Sequence, residues 1–485
     1  MTTDQENAVL EMLSAFQNAK QVDDLPAADL TTTDKIIEVF DVEKGQSEKM
    51  ALKDAVDMAN APYFGRVWNK DNTTPKAASW FGSLEFGKRI NEVYQLGGYI
   101  VKNDHTRRKL DSENHYKYAN GQPAKLDGSE GHYQWGWGTA FYIGMSNIGR
   151  TFQLATSLKP IPGMINYRIP VGSMSASGFA SLKRSTSTLM SCINNDADYR
   201  GGDNSTTYDG TNKTLIGRAV TNMTCEAMRA AARKNGEGWL CGTMRHRAVV
   251  KMLFEIIFGT RNCQEAYTEE RDKDGLRQGG LGSGVTGFSS WGDYNGHRPF
   301  LPQDAGIELG DNCGVSSFAV KDNDGNTVYT APIPSFFGLR NGFGYMWSHQ
   351  DDEQGRVNED TSITHLVAPS IYGTWTIGSA EGMVAYSTTP TTCDGYIKTA
   401  SYDNLEIFPT SIGATETTGH ADYLWNTSGV TSGFRLVLRS CYAYHGAQAG
   451  FGVVDVDYAV SDYRVYLGSP LCEANEDWPV VPVAA

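Results

Sequence analysis

Apolar residues recur with helical spacing in a few stretches of this chain and with strand spacing in many. Val9, Leu13 and Phe16 fall on one face of a predicted helix over residues 4–20, with Asp4 placed to cap it ahead of Glu6. Ile36–Val42 is a short β pattern. Gly45 then breaks the chain, and the run from Glu48 to Met58 predicts a second helix. These elements group as a small N-terminal module, residues 1–62. Residues 63–150 change character to a β-rich module of aromatics and glycines, with Trp68, Trp80, Phe81, Trp135 and Trp137. Asn120-Gly121 and Asp127-Gly128 are tight-turn dipeptides. Gly131–Gly138 alternates aromatic with Gly, as in a strand whose rings share a face.

From residue 151 to 485 the pattern runs strand, helix, then short strands and loops. Met164–Val171 predicts a strand, and Met223–Lys234 a helix that closes near Gly236. Arg245–Phe258 predicts an amphipathic helix with Val249, Met252, Leu253, Ile256 and Ile257 inward and Gly259 at its end. Lys321–Asn326, between Phe318–Val320 and Thr327–Tyr329, reads as a hairpin turn. Gly282–Gly287 matches GxGxxG, but it neither follows a clear strand nor opens a helix, so a phosphate cradle fails its context test.

A length of 485 residues supports several domains and a large core. A formal charge of −14 without any Lys/Arg run argues against nucleic acid as partner, because phosphate contacts need clustered cations. The apolar run Ala248–Phe258 is broken by Lys251 and Glu255, and the first residues carry no basic and apolar leader, so neither a membrane span nor a secretory signal is expected. The eight cysteines contain no CxxC pair. They read as mostly buried free thiols of a reducing cytoplasm, with a Cys441–Cys472 bridge left open, and no metal or other cofactor is expected.

The segment Ser440–Tyr466 stands apart. Five of its 27 residues are Tyr, where the chain's 24 in 485 would place about one, and Lys, Glu, Met and Trp are missing from it. Tyr offers broad amphipathic contact at low entropy cost, and small residues let a backbone adapt, as in antibody paratopes. Tyr442, Tyr444, His445, Asp455, Asp457, Tyr458, Asp462, Tyr463 and Tyr466 are the candidate ligand-binding residues.

Three blocks occur in the order of one known fold. They are the two helices around Met223–Lys234 and Arg245–Phe258, the run Ser335–Trp347 with its Asn341-x-x-Gly344-x-x-Trp347 spacing, and Gly446-Ala-Gln-Ala-Gly-Phe451 followed by Leu467-Gly-Ser469. Over about residues 160–475 they resemble the C-type-lectin-like fold of formylglycine-generating enzymes and of the variable proteins of diversity-generating retroelements. The helix end Leu253–Asn262 and the Phe336–Trp347 block also resemble phage fibre and receptor-binding proteins. The resemblance implies an α+β protein whose C-type-lectin-like recognition domain, residues 151–485, presents its terminal strands as a binding face. It also implies that variable codons ending in a pyrimidine would encode Tyr, His, Asp, Cys, Val and Arg but not Lys, Glu, Gln, Met or Trp. The candidate residues of 440–466 fit that restriction.

The formylglycine enzymes use a cysteine pair in this region, where this chain has Cys441 alone, and the calcium-binding loop of animal lectins has no counterpart. Asp351, Asp352, Glu353, Glu359 and Asp360 read as a solvated acidic loop, with a capsule-polysaccharide hydrolase as the alternative, since glycoside hydrolysis needs two facing carboxylates. The expectation is a non-enzymatic phage virion fibre, head-decorating or tail-associated, made in the host cytoplasm and carried on the virion surface. Its C-terminal face would meet a host cell-surface glycan or protein, its N-terminal attachment module other virion proteins, and copies would associate as a trimer or dimer. A purely structural virion protein is the remaining reading.

Overall fold

The computed structural model describes residues 62–483 other than 72, 390–393 and 427–431, together with the backbone of one N-terminal hairpin. That hairpin pairs Ile36–Asp41 with Gln46–Ala51. The start of the expected helix at Glu48–Met58 is therefore a strand. An isolated strand leaves a row of unpaired backbone groups, and the next segment satisfies them despite its helix-forming side chains. The expected helix over 4–20 lies outside the described residues.

The protein is strand-rich with few helices. A five-stranded antiparallel sheet runs in the order Ile165–Ile169, Phe141–Ile148, Thr151–Ser157, Tyr63–Asn69, Ser79–Gly82. A six-stranded sheet runs Trp239–Cys241, Leu471–Ala474, Gly172–Ser175, His132–Trp137, Gly97–Val101, Arg107–Lys109. It takes strands from both sides of residue 150, and the late strand Leu471–Ala474 lies inside it rather than at its edge. A nine-stranded sheet is centred on the long strand Trp347–Val357, flanked by Ile363–Val367 and Gly433–Arg439. The expected hairpin forms from Gly314–Lys321 and Thr327–Phe336, its turn tied by Asp322 accepting from the Asn326 amide.

Both predicted C-terminal helices form with side-chain caps. Thr224 accepts from the Ala227 amide to start Cys225–Arg233, and Thr243 accepts from the His246 amide to start Met244–Phe258. Gly259 closes the second at φ +66°. The second helix departs from the amphipathic expectation because all 15 of its residues are buried. Its apolar side packs Phe254 against Phe258, Phe336 and Phe451. Its polar side is buried too, and each charge there has a partner. Arg245 meets Asp352 at 2.5 Å and donates to the carbonyls of Ala368 and Trp478. Arg247 donates to the Gly342 carbonyl at 2.6 Å. Lys251 lies 3.0 Å from Glu255 and 2.8 Å from Asp422, and Glu255 accepts from the Tyr402 hydroxyl at 2.6 Å. Burial opposes the Lys251 charge, but Asp422 and Glu255 outweigh it and raise its pKa.

The run Asp351-Asp352-Glu353 is likewise inside, on the buried strand Trp347–Val357, and not in a solvated loop. Arg229 takes Asp351, Arg245 takes Asp352, and Arg439 grips Glu353 through two bonds of 2.8 and 2.7 Å. Glu353 also meets His365 at 2.7 Å, whose other nitrogen meets Glu406 at 2.6 Å. Burial disfavours the Glu353 charge, but Arg439 and His365 outweigh it and hold its pKa down at about 2. Burial also disfavours charge on His365, but Glu353 and Glu406 raise its pKa. The seven cysteines among the described residues, Cys441 and Cys472 included, are free and buried.

Removing one member of a buried pair strands the other, so Arg439→Met is expected to cost about 3–5 kcal/mol in denaturant unfolding. The Glu353 carboxyl titrates near 2 when folded against an ordinary 4.5, so the unfolded chain takes up the proton first. Its stabilisation is full above 4.5 and is lost as the pH falls toward 2. The stability difference between the parent chain and Glu353→Gln, measured by urea unfolding from pH 6 to 2, is therefore expected to shrink across that window.

Candidate aromatic binding surface

The strand Gly433–Arg439 ends where Arg439 is fixed to Glu353, and the chain then turns sharply. Ser440 and Cys441 both adopt left-handed backbone, at φ +85° and +71°. Such conformations cost about 1–3 kcal/mol each for residues with a Cβ and persist only where surroundings enforce them. The enforcing contacts come from the Asn341–Trp347 segment. The Gly344 amide donates to the Ser440 carbonyl at 3.0 Å, the Ala443 amide donates to the Tyr345 carbonyl at 3.1 Å, and Tyr345 bridges Tyr442. Gly344 has φ +74°, and a Cβ on Gly342 would meet the Phe451 ring at 2.6 Å. Trp347 is fully buried below this turn, as the Asn-Gly-Gly spacing predicts. Further along, the Leu436 amide donates to the Tyr458 carbonyl and the Trp347 amide to the Tyr466 carbonyl, so the ribbon hangs on the two central strands of the large sheet.

This backbone path stacks the aromatic side chains. Tyr442 lies on Tyr466 at 5.1 Å and 10°, and the Tyr458 and Tyr466 hydroxyls are 3.2 Å apart. His445 is 4.2 Å from Tyr442 and stacks on Trp425 at 4.7 Å. Trp425 meets Tyr423 at 4.4 Å and stands edge-on to Trp347. His297 points its edge at Tyr442, Tyr444 and Tyr466, and Trp291 supports Tyr442 at 5.5 Å. Tyr444 and Tyr463 are the open members, 52% and 54% exposed, while Tyr442, Tyr458 and Tyr466 are half-buried.

The acidic candidates are placed differently. Asp455 is 3% exposed, and its carboxyl accepts from the Asp457 amide. Burial, then the neighbouring Asp457, pushes its pKa well up, and its bond to the Asp457 amide shapes the turn beneath the rings. Asp462 accepts from the Ala459 amide and pairs with Arg464 at 3.3 Å, which closes the turn before Tyr463. Asp457 is half-buried. The structure thus brings Tyr442, Tyr444, His445, Tyr458 and Tyr466 together, with Tyr463 at the rim and Asp455 below. It adds Trp425, Tyr423, Trp291 and His297. Tyr423 and Trp425 alternate along one strand, a signal legible in the sequence, whereas nothing local marks His297.

Cys441 Sγ lies 3.1 Å from His445 Nδ1. An activated thiolate needs a lowered thiol and a raised imidazole. Here burial raises the thiol well above its usual value and pushes His445 down to about 4, so the pair is neutral at pH 7. Among the described residues no three His, Cys, Asp or Glu are grouped to hold a metal ion. No helix among them is long and apolar enough to cross a membrane. No protein-family model and no curated protein matches this chain.

Tyr444→Ala is expected to leave the thermal midpoint nearly unchanged, within about 0.5 kcal/mol, as for exposed positions generally. Tyr442→Ala, which removes the ring packed on Trp291, His445 and Tyr466, is expected to cost about 2 kcal/mol in the same measurement. An NMR titration of His445 is expected to find a midpoint near 4, so this imidazole stays neutral between pH 6 and 8.

Proposed function

We propose that this protein is a recognition component of a phage virion, displaying the ribbon 440–466 toward a host cell-surface glycan or protein. The observation that carries the reading is the pair of open tyrosines, Tyr444 and Tyr463, at the rim of stacked rings whose backbone is fixed to buried ion-paired strands. Aromatic rings with hydroxyl tips bind sugars and peptides through their faces and hydroxyls, at little entropic cost when they are already stacked. The C-type-lectin-like assignment is supported by the late strand Leu471–Ala474 lying beside Gly172–Ser175, next to the two capped helices. The rim residues Tyr444, Ser461, Tyr463 and Arg464 are all exposed, the placement a variable binding face requires. Attachment through the N-terminal module and assembly into a trimer or dimer complete the proposal, multiplying weak single contacts into avidity.

The test is attachment of the purified chain to host cells or to a glycan array, with and without Tyr444→Ala/Tyr463→Ala. A drop of about tenfold or more in binding at unchanged stability is expected, since truncating a tyrosine that anchors a ligand costs over 1 kcal/mol. Equal binding by the double variant would remove this face from the function.

A further inference from the structure

Tyr294 and Asn295, at the end of the short helix Trp291–Asn295 whose Trp291 supports Tyr442, line a cavity of about 240 Å³. Three separate segments build it: the loop around Tyr208–Arg218, the stretch Tyr294–Phe300, and Phe318–Lys321 of the hairpin. Asn212 donates to the Asn323 carbonyl at 3.4 Å and the Tyr294 hydroxyl to the Lys321 carbonyl at 2.8 Å, which ties the three together.

The cavity's charge is opposite to that of the protein. The whole chain carries −14, yet the lining holds Lys213, Arg218, Arg298 and Lys321 against Asp209 alone, four cations to one carboxylate. Asp209 is neutralised by Arg200 at 2.7 Å, and Arg298 by Asp203 at 2.8 Å. Arg218 has no such partner. Its Nε is sealed from solvent without a hydrogen bond, and its guanidinium makes neither hydrogen bond nor ion pair with any described residue. Burial pushes its pKa down, against partial support from Tyr345, Asp304 and Tyr294. Lys213 has a carbonyl and a ring rather than a carboxylate for partners, those of Tyr294 at 3.2 and 4.7 Å. Arg218 is half-buried, so a guanidinium without a carboxylate of its own stands at a cavity wall within reach of an incoming anion. Around it stand aromatic rings, with Tyr208 at the open edge, and the side chains of Asn212 and Thr214 add hydroxyl-binding groups.

We infer that this cavity binds a carboxylate-bearing sugar ring, such as a uronic acid unit, with Arg218 and Lys213 taking the carboxylate and Tyr208 and Tyr294 the ring face. The volume is below the roughly 300–1,000 Å³ of pockets for drug-sized ligands and suits one ring. A guanidinium fork matches a carboxylate in two parallel bonds. The inference does not depend on the ring surface at 440–466, because it concerns a soluble monosaccharide at a different site.

The experiment is calorimetric titration of the full chain with glucuronate, with glucose, and with inorganic phosphate. Glucuronate is expected to bind at least tenfold more tightly than glucose, and phosphate not to compete with it. Arg218→Gln is expected to weaken glucuronate about tenfold or more, the usual worth of a hydrogen-bonded charge. Tyr208→Ala, at the exposed edge, is expected to weaken it severalfold without affecting the fold. Glucuronate binding no better than glucose, phosphate competing equally, or undiminished binding by Arg218→Gln would each overturn the inference. If Arg218→Gln does not fold, Tyr208→Ala decides, and unchanged glucuronate affinity in that variant overturns the inference.

Discussion

The packing around Met244–Phe258 and Trp347–Val357 depends on pairing the charges buried there. Met244–Phe258 carries two arginines, a histidine, a lysine and a glutamate into an interior with no water to spare for them. Each reaches a different part of the chain: Arg245 the long strand at Asp352, Arg247 the glycine turn at Gly342, Lys251 the segment before Tyr423 at Asp422, Glu255 the loop at Tyr402. A buried ion pair adds to the hydrophobic pattern a requirement that its two partners meet in good geometry. The helix therefore acts as an index pin. It fixes how the sheets meet, and the strongly buried strand Trp347–Val357 repeats the device with three consecutive carboxylates on three arginines.

The aromatic surface inherits that rigidity. Arg439 is clamped by Glu353 one residue before the left-handed pair Ser440-Cys441, and Arg247 holds the Gly342 carbonyl above which the Ser440 hydroxyl also donates. The strain stored at the turn is thus opposed on both sides by groups anchored in the core. The rings project from a backbone held on both sides by the core.

The sequence made some of this legible and hid the rest for identifiable reasons. The end of the long helix announced itself through Gly259, and the Asn341–Gly344 turn pointed to a buried Trp347. These are local signals, each set by a few neighbouring residues. The acidic run at 351–353 gave the opposite impression from its placement, because carboxylates in series look solvated unless their partners are visible. Those partners, Arg229, Arg245 and Arg439, lie far away along the chain. The same distance hid the polar face of the long helix and the role of His297. Within the candidate surface, tyrosine enrichment was readable, but a sequence does not distinguish Asp455, turned under the rings, from Tyr444, turned outward.

The position of Leu471–Ala474 has a consequence for how the chain is made. During translation both of its sheet neighbours leave the ribosome long before it does, and the slot between them stays vacant. Two open strand edges wait for a segment synthesised well after both of them, an arrangement that favours slow closure. A product cut short by a premature stop would keep those edges bare, inviting aggregation or proteolysis rather than partial activity. Only a nascent chain carried through Ala474 can seal that sheet.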